Sequence, residues 1–391
     1  MINLQEYGFS EDHQKIYDTV YKYSRDNLHP LIQKMDKDDW FPEEEYKKLA
    51  DLGLLGMTVP ERFGGTEIDF LSMCVVAEAM GHWNSSMAAV WMSSENVCVH
   101  SLVSNCTEDQ KEKFLPKFPT GEYIGALGLT EPGAGSDAFG GMKTTAIKEG
   151  SDYIINGRKT FISNAQIASI VLTYTKTAPE LGTKGISPFI IETDSEGLEV
   201  GQKLDKMGWR GCPTGEIAMD DVRVSEFNRI GPENNGASVA MKGLNGERLM
   251  LGFYVLGFCQ RALDLSLEHA KMREQGGRPI AEYQLVQAMI ADIYTELEAL
   301  RCMTYSIALQ VLPAETEGKP IGDAHKRAAA VYLKSGRVAV DILDKAVQIH
   351  GGMGYMRESE INILYRVAKL MEIGGGTTQI RQLLVSGALL K

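Results

Sequence analysis

Five absences narrow what this chain can be. Six cysteines are scattered over 391 residues, as Cys74, Cys98, Cys106, Cys212, Cys259 and Cys302, and no two form a Cys-x-x-Cys pair. That spread excludes a disulfide scaffold and fits reduced thiols. The seven histidines are equally dispersed, with no His-Glu-x-x-His or similar spacing, so no metal centre is expected. No basic cluster stands out: 40 basic against 52 acidic residues leave a net charge of −12. This disfavours nucleic acid or an anionic membrane as the main partner. The apolar stretch Leu249 to Cys259 is interrupted by Gly252, Tyr254 and Gly257 and is too short to span a bilayer. The N-terminus lacks a basic region and an apolar core segment, so the expected location is cytoplasmic.

What is present divides into three parts. Residues 1–123 read as helical. Phe9-Ser10-Glu11-Asp12 suits a capped helix start, Pro30, Pro42 and Pro60 punctuate successive runs, and Phe70 to Val90 reads as one buried helix. In residues 124–232 the segments become short and β-branched, for example Ile170-Val171-Leu172-Thr173-Tyr174, with Asn156-Gly157 as a hairpin signal. A small barrel or sandwich is expected there. In residues 233–391 helical periodicity returns over roughly 236–274, 282–313, 321–350 and 360–372, with a closing segment. This suggests a four-helix bundle of long antiparallel helices. The fold class is α+β, in the order helix, β, helix.

One carboxylate stands out. Leu244, Glu247 and Leu251 fall on one stripe at helical period, and Gly243 and Gly246 flank it. A buried acid is costly unless paired or used, and burial raises its pKa toward the range a general base needs. Pairing with Arg248 or with another helix is the plainer reading of the same residues.

Four further segments could hold a ligand. Thr130-Glu131-Pro132-Gly133-Ala134-Gly135-Ser136-Asp137 combines hydroxyls with glycines that admit close backbone approach. Phe161-Ile162-Ser163 puts an aromatic ring and a hydroxyl two residues apart, on one face of a strand. Gln348-Ile349-His350-Gly351-Gly352-Met353-Gly354-Tyr355 and Gly374-Gly375-Gly376-Thr377-Thr378-Gln379 are glycine-rich ends of helical runs. Taken singly, each also fits an ordinary turn, edge strand or helix stop.

Together with Val59-Pro60-Glu61, Gly64-Gly65, Lys206-Met207-Gly208-Trp209-Arg210, Arg273 and Gln284, these segments resemble the acyl-CoA dehydrogenase family over nearly the whole chain. The resemblance implies an N-terminal helical domain, a middle β-barrel domain and a C-terminal four-helix bundle. It implies FAD bound without a covalent link. Leu127, Leu129, Thr130 and Ser136 would contact flavin and pyrophosphate, and Phe161, Ile162 and Ser163 the ring. The family more often has Trp and Thr at the positions of Phe161 and Ser163. Arg273, Gln284 and the loop Gln348, Ile349, His350, Gly351, Gly352 would reach FAD across an interface of a homotetramer, with Thr377 and Gln379 also contributing.

Most of the family carries its catalytic Glu where this chain has Gly375. A subgroup that includes isovaleryl-CoA dehydrogenase carries it in a Glu-Arg-Leu context on the long helix, here Glu247-Arg248-Leu249. The resemblance thus implies that Glu247 takes the α-proton while the β-hydride passes to flavin N5, giving a 2-enoyl-CoA. Gly375 N–H would donate to the thioester carbonyl. Ser136, Asn245 and Arg248 would meet the CoA chain, and Trp91, Ser94 and Glu95 the acyl tail. Electron-transferring flavoprotein would be the acceptor. A short branched acyl group such as isovaleryl is expected, with aryl, alicyclic or dicarboxylic thioesters (benzylsuccinyl, cyclohexanecarboxyl, glutaryl) as the alternative. Two alternatives of another kind are a relative that binds acyl-CoA and FAD without dehydrogenating, and an oxidase. Glu372 is the competing base.

Overall fold

A computed structural model describes residues 1–319 and 321–390. Seven helices come first: α1 (Glu11–Tyr23), α2 (Ile32–Asp38), α3 (Glu43–Lys47), α4 (Phe70–Trp83), α5 (Ser85–Ser94), α6 (His100–Asn105) and α7 (Glu108–Phe114). Ser10 caps α1 as expected, its hydroxyl accepting from His13 N–H at 3.2 Å. The run from Phe70 to Val90 is two helices, not one. Asn84 leaves the helical region at φ −148° and its side chain accepts from Met87 N–H at 2.9 Å, so it starts α5 while ending α4.

Strands β1 (Gly125–Gly128), β2 (Thr145–Glu149), β3 (Asp152–Ser163), β4 (Ile170–Lys176), β5 (Ile186–Glu192), β6 (Leu198–Val200) and β7 (Thr214–Ser225) make one seven-stranded sheet. Its order is β1-β4-β2-β3-β7-β6, with β5 on the other side of β4. β5 and β6 form no ladder with each other. Asn156-Gly157 is not a turn. The β2–β3 hairpin turns at Gly150-Ser151, with Gly150 at φ +64°. Asn156 is engaged with Asp221 across β3 and β7, and a side chain at Gly157 would meet Thr144 at 2.4 Å. A close approach, not a reversal, explains this glycine.

The C-terminal part contains α8 (Gly236–Met272), a short hairpin of β8 (Glu274–Gln275) and β9 (Arg278–Pro279), α9 (Gln284–Thr316), α10 (Ala324–His350), α11 (Gly352–Tyr355), α12 (Glu360–Leu370) and α13 (Thr378–Leu389). Pro313 does not end α9, which runs a further turn before stopping. The main core is shared between α4, α5 and the long helices, through residues such as Met80, Trp91, Phe253, Leu256, Leu300 and Ile342. Within it Arg301 donates to Glu78 at 2.7 Å, and the Tyr305 hydroxyl closes on the other carboxylate oxygen at 2.7 Å. The loop before β7 ties the sheet to both helical parts. Gly211 N–H donates to Asp39 at 2.7 Å, and Arg366 forks onto Asp36 at 2.7 Å while also reaching the Met207 carbonyl. Side chains of α8 can therefore face β4 across a fixed junction.

Candidate active site

The stripe Leu244, Glu247, Leu251 is only half-buried. The buried face of α8 is the neighbouring one, with Leu249, Met250, Phe253 and Tyr254. The stripe thus stays partly open at the rim of the core. Glu247 accepts no hydrogen bond and makes no ion pair among the described residues. The Arg248 side chain turns elsewhere: its Nη1 lies 3.2 Å from each ring nitrogen of His325 on α10. The paired-acid reading of Glu247 is overturned, because adjacent helical residues point about 100° apart. Burial still pushes the Glu247 carboxyl up, and the charge of Arg248 opposes part of that rise. Of the flanking glycines, Gly246 makes room for the Phe70 ring, which a β-carbon would meet at 2.7 Å. Gly243 has open space beside it.

Two tyrosines feel the charge of Glu247. Tyr174 on β4 is buried and its hydroxyl is pushed up, first by burial and then by Glu247. Tyr332 on α10 is pushed up to about 12 by burial, with Arg381 opposing and Glu247 adding. Tyr332 also bounds the site at Gly375. A β-carbon there would lie 3.0 Å from its ring and 3.4 Å from Leu251, and Gly375 has φ +60°. Both facts leave the position bare.

The loop expected to cradle a cofactor is built on a buried ion pair. Glu131 accepts from Lys159 Nζ at 2.9 Å, from Lys143 and Thr144 N–H at 2.7 and 3.0 Å, and from the Thr144 hydroxyl at 2.6 Å. Burial pushes Lys159 down to about 8 although Glu131 pulls it back. With Glu131 and Ala134 pairing across the turn, Gly133, Gly135 and Ser136 remain exposed and open. Leu127, Leu129 and Thr130 are half-buried along the adjoining β1 edge.

Phe161 departs from simple strand alternation. The β3–β7 register slips between Lys159 and Ile162, and Phe161 adopts φ +58° with 69% of its surface exposed. A phenylalanine held in the left-handed region and left open to solvent is strained and apolar at once. A planar ring stacked on it would relieve the exposure, so the arrangement fits a flavin. Ser163 is half-buried nearby, while Ile162 points into the sheet core.

In the turn before α13, the Thr377 hydroxyl caps that helix by accepting from Ile380 N–H at 3.3 Å, and Gln379 is exposed. Arg273, Gln284, Gln348, Gly351 and Gly352 are exposed at the far end of the bundle. Ile349 is core, so only its backbone is available there. His350 stacks on His269 with ring centres 4.5 Å apart.

Three expectations for the acyl tail are corrected. Trp91 is fully buried and donates to the Leu54 carbonyl at 2.6 Å. Ser94 accepts from Gly125 N–H at 3.0 Å. Glu95 accepts from Gly56 and Met57 N–H at 2.9 and 3.3 Å, and burial pushes it up to about 8. All three face the protein interior, so helix periodicity could not tell pocket lining from core. Asn245 is partly committed as well, donating to Glu315 at 2.7 Å. Glu372 sits at a helix end, paired with Lys369 at 2.6 Å. Tyr174, Tyr332 and Arg381 went unmarked in the sequence, where nothing separates them from helix and strand filler.

Family models for the acyl-CoA dehydrogenase N-terminal, middle and C-terminal domains match residues 10–122, 126–222 and 234–390. Mitochondrial isovaleryl-CoA dehydrogenase of Solanum tuberosum is 37% identical over 385 residues, covering 98% of this chain and 92% of that one. The caffeyl-CoA reductase-Etf complex subunit CarC of Acetobacterium woodii is 38% identical over 385 residues, covering 98% and 99%. The solved structure of butyryl-CoA dehydrogenase from Megasphaera elsdenii superposes with a TM-score of 0.92 at 32% identity, covering 98% and 99%.

Proposed function

The chain belongs to the acyl-CoA dehydrogenase family, and from that premise we propose that it desaturates a short branched acyl-CoA such as isovaleryl-CoA, with Glu247 as the α-proton acceptor. FAD-dependent oxidation of an acyl-CoA is the family's activity. Bound FAD supplies the acceptor for the β-hydride. The observation that carries the role of Glu247 is its carboxylate, half-buried without a donor among the described residues, one turn of α8 before Leu251, which lies against Gly375. An unpaired carboxylate raised by burial is a stronger base than one in water.

The other roles follow from position. Gly375 N–H donates to the thioester carbonyl and stabilises the negative charge that develops there. Leu244 and Leu251, flanking Glu247 on the same face, meet the acyl group. Phe161 and Ser163 take the flavin ring, with Leu127, Leu129 and Thr130 along its edge. Ser136 and the open amides around it take pyrophosphate or the CoA chain. The exposed Arg273, Gln284 and Gln348–Gly352 contribute to FAD in a neighbouring subunit of a homotetramer. Electron-transferring flavoprotein is the proposed acceptor, a reading supported by the Etf-complex relative.

The Glu-Arg-Leu context of Glu247 on α8, together with the isovaleryl-CoA dehydrogenase relative, favours a branched acyl group. The caffeyl-CoA reductase relative favours an aryl-bearing thioester as the second reading. A panel of isovaleryl, isobutyryl, butyryl, octanoyl, glutaryl, cyclohexanecarboxyl, benzylsuccinyl and 3-arylpropionyl thioesters, scored by anaerobic flavin bleaching, separates them. Isovaleryl-CoA should show the highest kcat/KM; a straight-chain or ring-bearing thioester ranking above it overturns the branched assignment. Turnover with electron-transferring flavoprotein but without peroxide in air excludes an oxidase.

A further inference from the structure

Two buried side chains with no role so far converge on one carbonyl in the turn before α13. The Tyr332 hydroxyl donates to the Gly374 carbonyl at 2.9 Å. Arg381 Nη2 donates to the same oxygen at 2.8 Å. Arg381 is fully buried and has no carboxylate within ion-pair distance among the described residues. Its guanidinium carbon lies 3.5 Å from the centre of the Tyr332 ring, and Nη1 donates to the Tyr332 carbonyl at 3.2 Å. A buried cation without an acid is costly, and cation–π contact offsets only part of that cost.

The peptide bond explains what the charge can do. In a planar trans peptide the C=O of Gly374 and the N–H of Gly375 point in opposite directions. Holding the carbonyl toward Tyr332 and Arg381 therefore aims Gly375 N–H away from them. That N–H has no hydrogen-bond partner among the described residues. Gly375 and Gly376 both have positive φ, +60° and +86°, and three glycines in a row do not hold one conformation by themselves. A donor attached to the carbonyl also polarises the whole amide, and a charged donor does so more strongly.

We propose that Tyr332 and Arg381 are positioning residues that together aim and polarise Gly375 N–H toward the substrate thioester. This rests on the assignment of Gly375 N–H as the carbonyl donor. Neither side chain touches the reacting atoms; both act through the Gly374–Gly375 peptide.

The test uses the FAD-loaded enzyme and a 3-arylacryloyl-CoA bearing an electron-donating ring substituent, whose absorption band moves to the red as its carbonyl is polarised. The wild-type enzyme should produce a clear red shift. Tyr332→Phe, which keeps the ring and loses the hydroxyl, should bind the probe within about threefold of wild type yet shift the band less. Its kcat should fall about tenfold with KM little changed, since removing a whole oxyanion donor costs about 100-fold or more and this change only weakens one. Arg381→Lys, which keeps the charge but not the fork, should fall in between. A full wild-type shift in both variants overturns the clamp alone. A bound probe without any shift in the wild-type enzyme overturns the role of Gly375 N–H, and the clamp with it.

Discussion

Glu247 and Glu95 are both acids raised by burial, yet their surroundings give them opposite fates. Glu247 is half-buried and meets no donor among the described residues, so its charge is available for proton transfer. Glu247→Gln should keep FAD and lose about 100- to 10,000-fold in kcat, read by anaerobic flavin bleaching. If Glu247→Gln stays active and Glu372→Gln does not, the base has been misassigned. Because burial raises the Glu247 carboxyl, kcat/KM should climb with pH through a midpoint above the ordinary glutamate value, the protonated acid being inactive. Glu95 instead is sealed in the core on two backbone amides and pushed up to about 8. Between the unfolded value near 4.5 and that folded value, the native state holds a proton the unfolded chain has lost. Stability must therefore fall as pH rises through this window, by at most about 1.4 kcal/mol per pH unit. Glu95→Gln should flatten that fall in thermal melts recorded from pH 5 to 8. An unchanged slope would show that Glu95 is ionised in the native protein.

Among the elements, the glycines of α8 and of the turn before α13 decide how close the helices come. Gly246→Val should destabilise the fold by about 1–3 kcal/mol, because the new side chain overlaps the Phe70 ring of α4. Denaturant midpoints check this, with Gly243→Ala, which faces open space, as the mild comparison. Gly375→Glu restores an acid where most of the family keeps one, but here it meets Tyr332 and a left-handed backbone. In a Glu247→Gln background it should fail to recover turnover, and Tyr332→Ala should be needed to make room. The helix–β–helix order was legible in the periodicities, and so were the long helices of the bundle to within a few residues. Asn84 and Asn156 were misread, because an asparagine's side chain can cap, bridge or turn, and its partner lies elsewhere in the chain. The open glycine loop at 133–136 could be read from composition; the buried Glu131–Lys159 pair that holds it could not, since its members are 28 residues apart.

For the whole molecule, the far end of the bundle carries unusual apolar exposure. Met272, Leu285, Met353 and Tyr355 are 77%, 81%, 59% and 79% exposed, around the exposed Arg273, Gln284 and Gln348. A patch of that kind marks an interface. The homotetramer proposed above should appear as such in sedimentation, and Leu285→Glu should give smaller species that lose FAD on dilution while monomer helicity persists. A monomer in sedimentation with full FAD would refute it. No helix among the described residues is long and apolar enough to cross a membrane, in line with the short apolar runs of the sequence.

Order and chemistry type were written along the chain, because period, turn residues and a Glu-Arg-Leu in place of the missing acid at 375 are local patterns. From these the family, the three-part fold and the choice of Glu247 followed. Which side chains stay open and which enter the core was not local. Trp91 and Ser94 lie on α5 and Glu95 just after it, in a stretch buried on nearly every side, so their period could not reveal that they face backbone and not substrate. Glu247 parted from Arg248 only once α10 brought His325 alongside. Tyr332 and Arg381 meet at Gly374 across 42 and 7 residues of chain. Such convergence depends on the packing of α10 against α13, which no single stretch of sequence encodes.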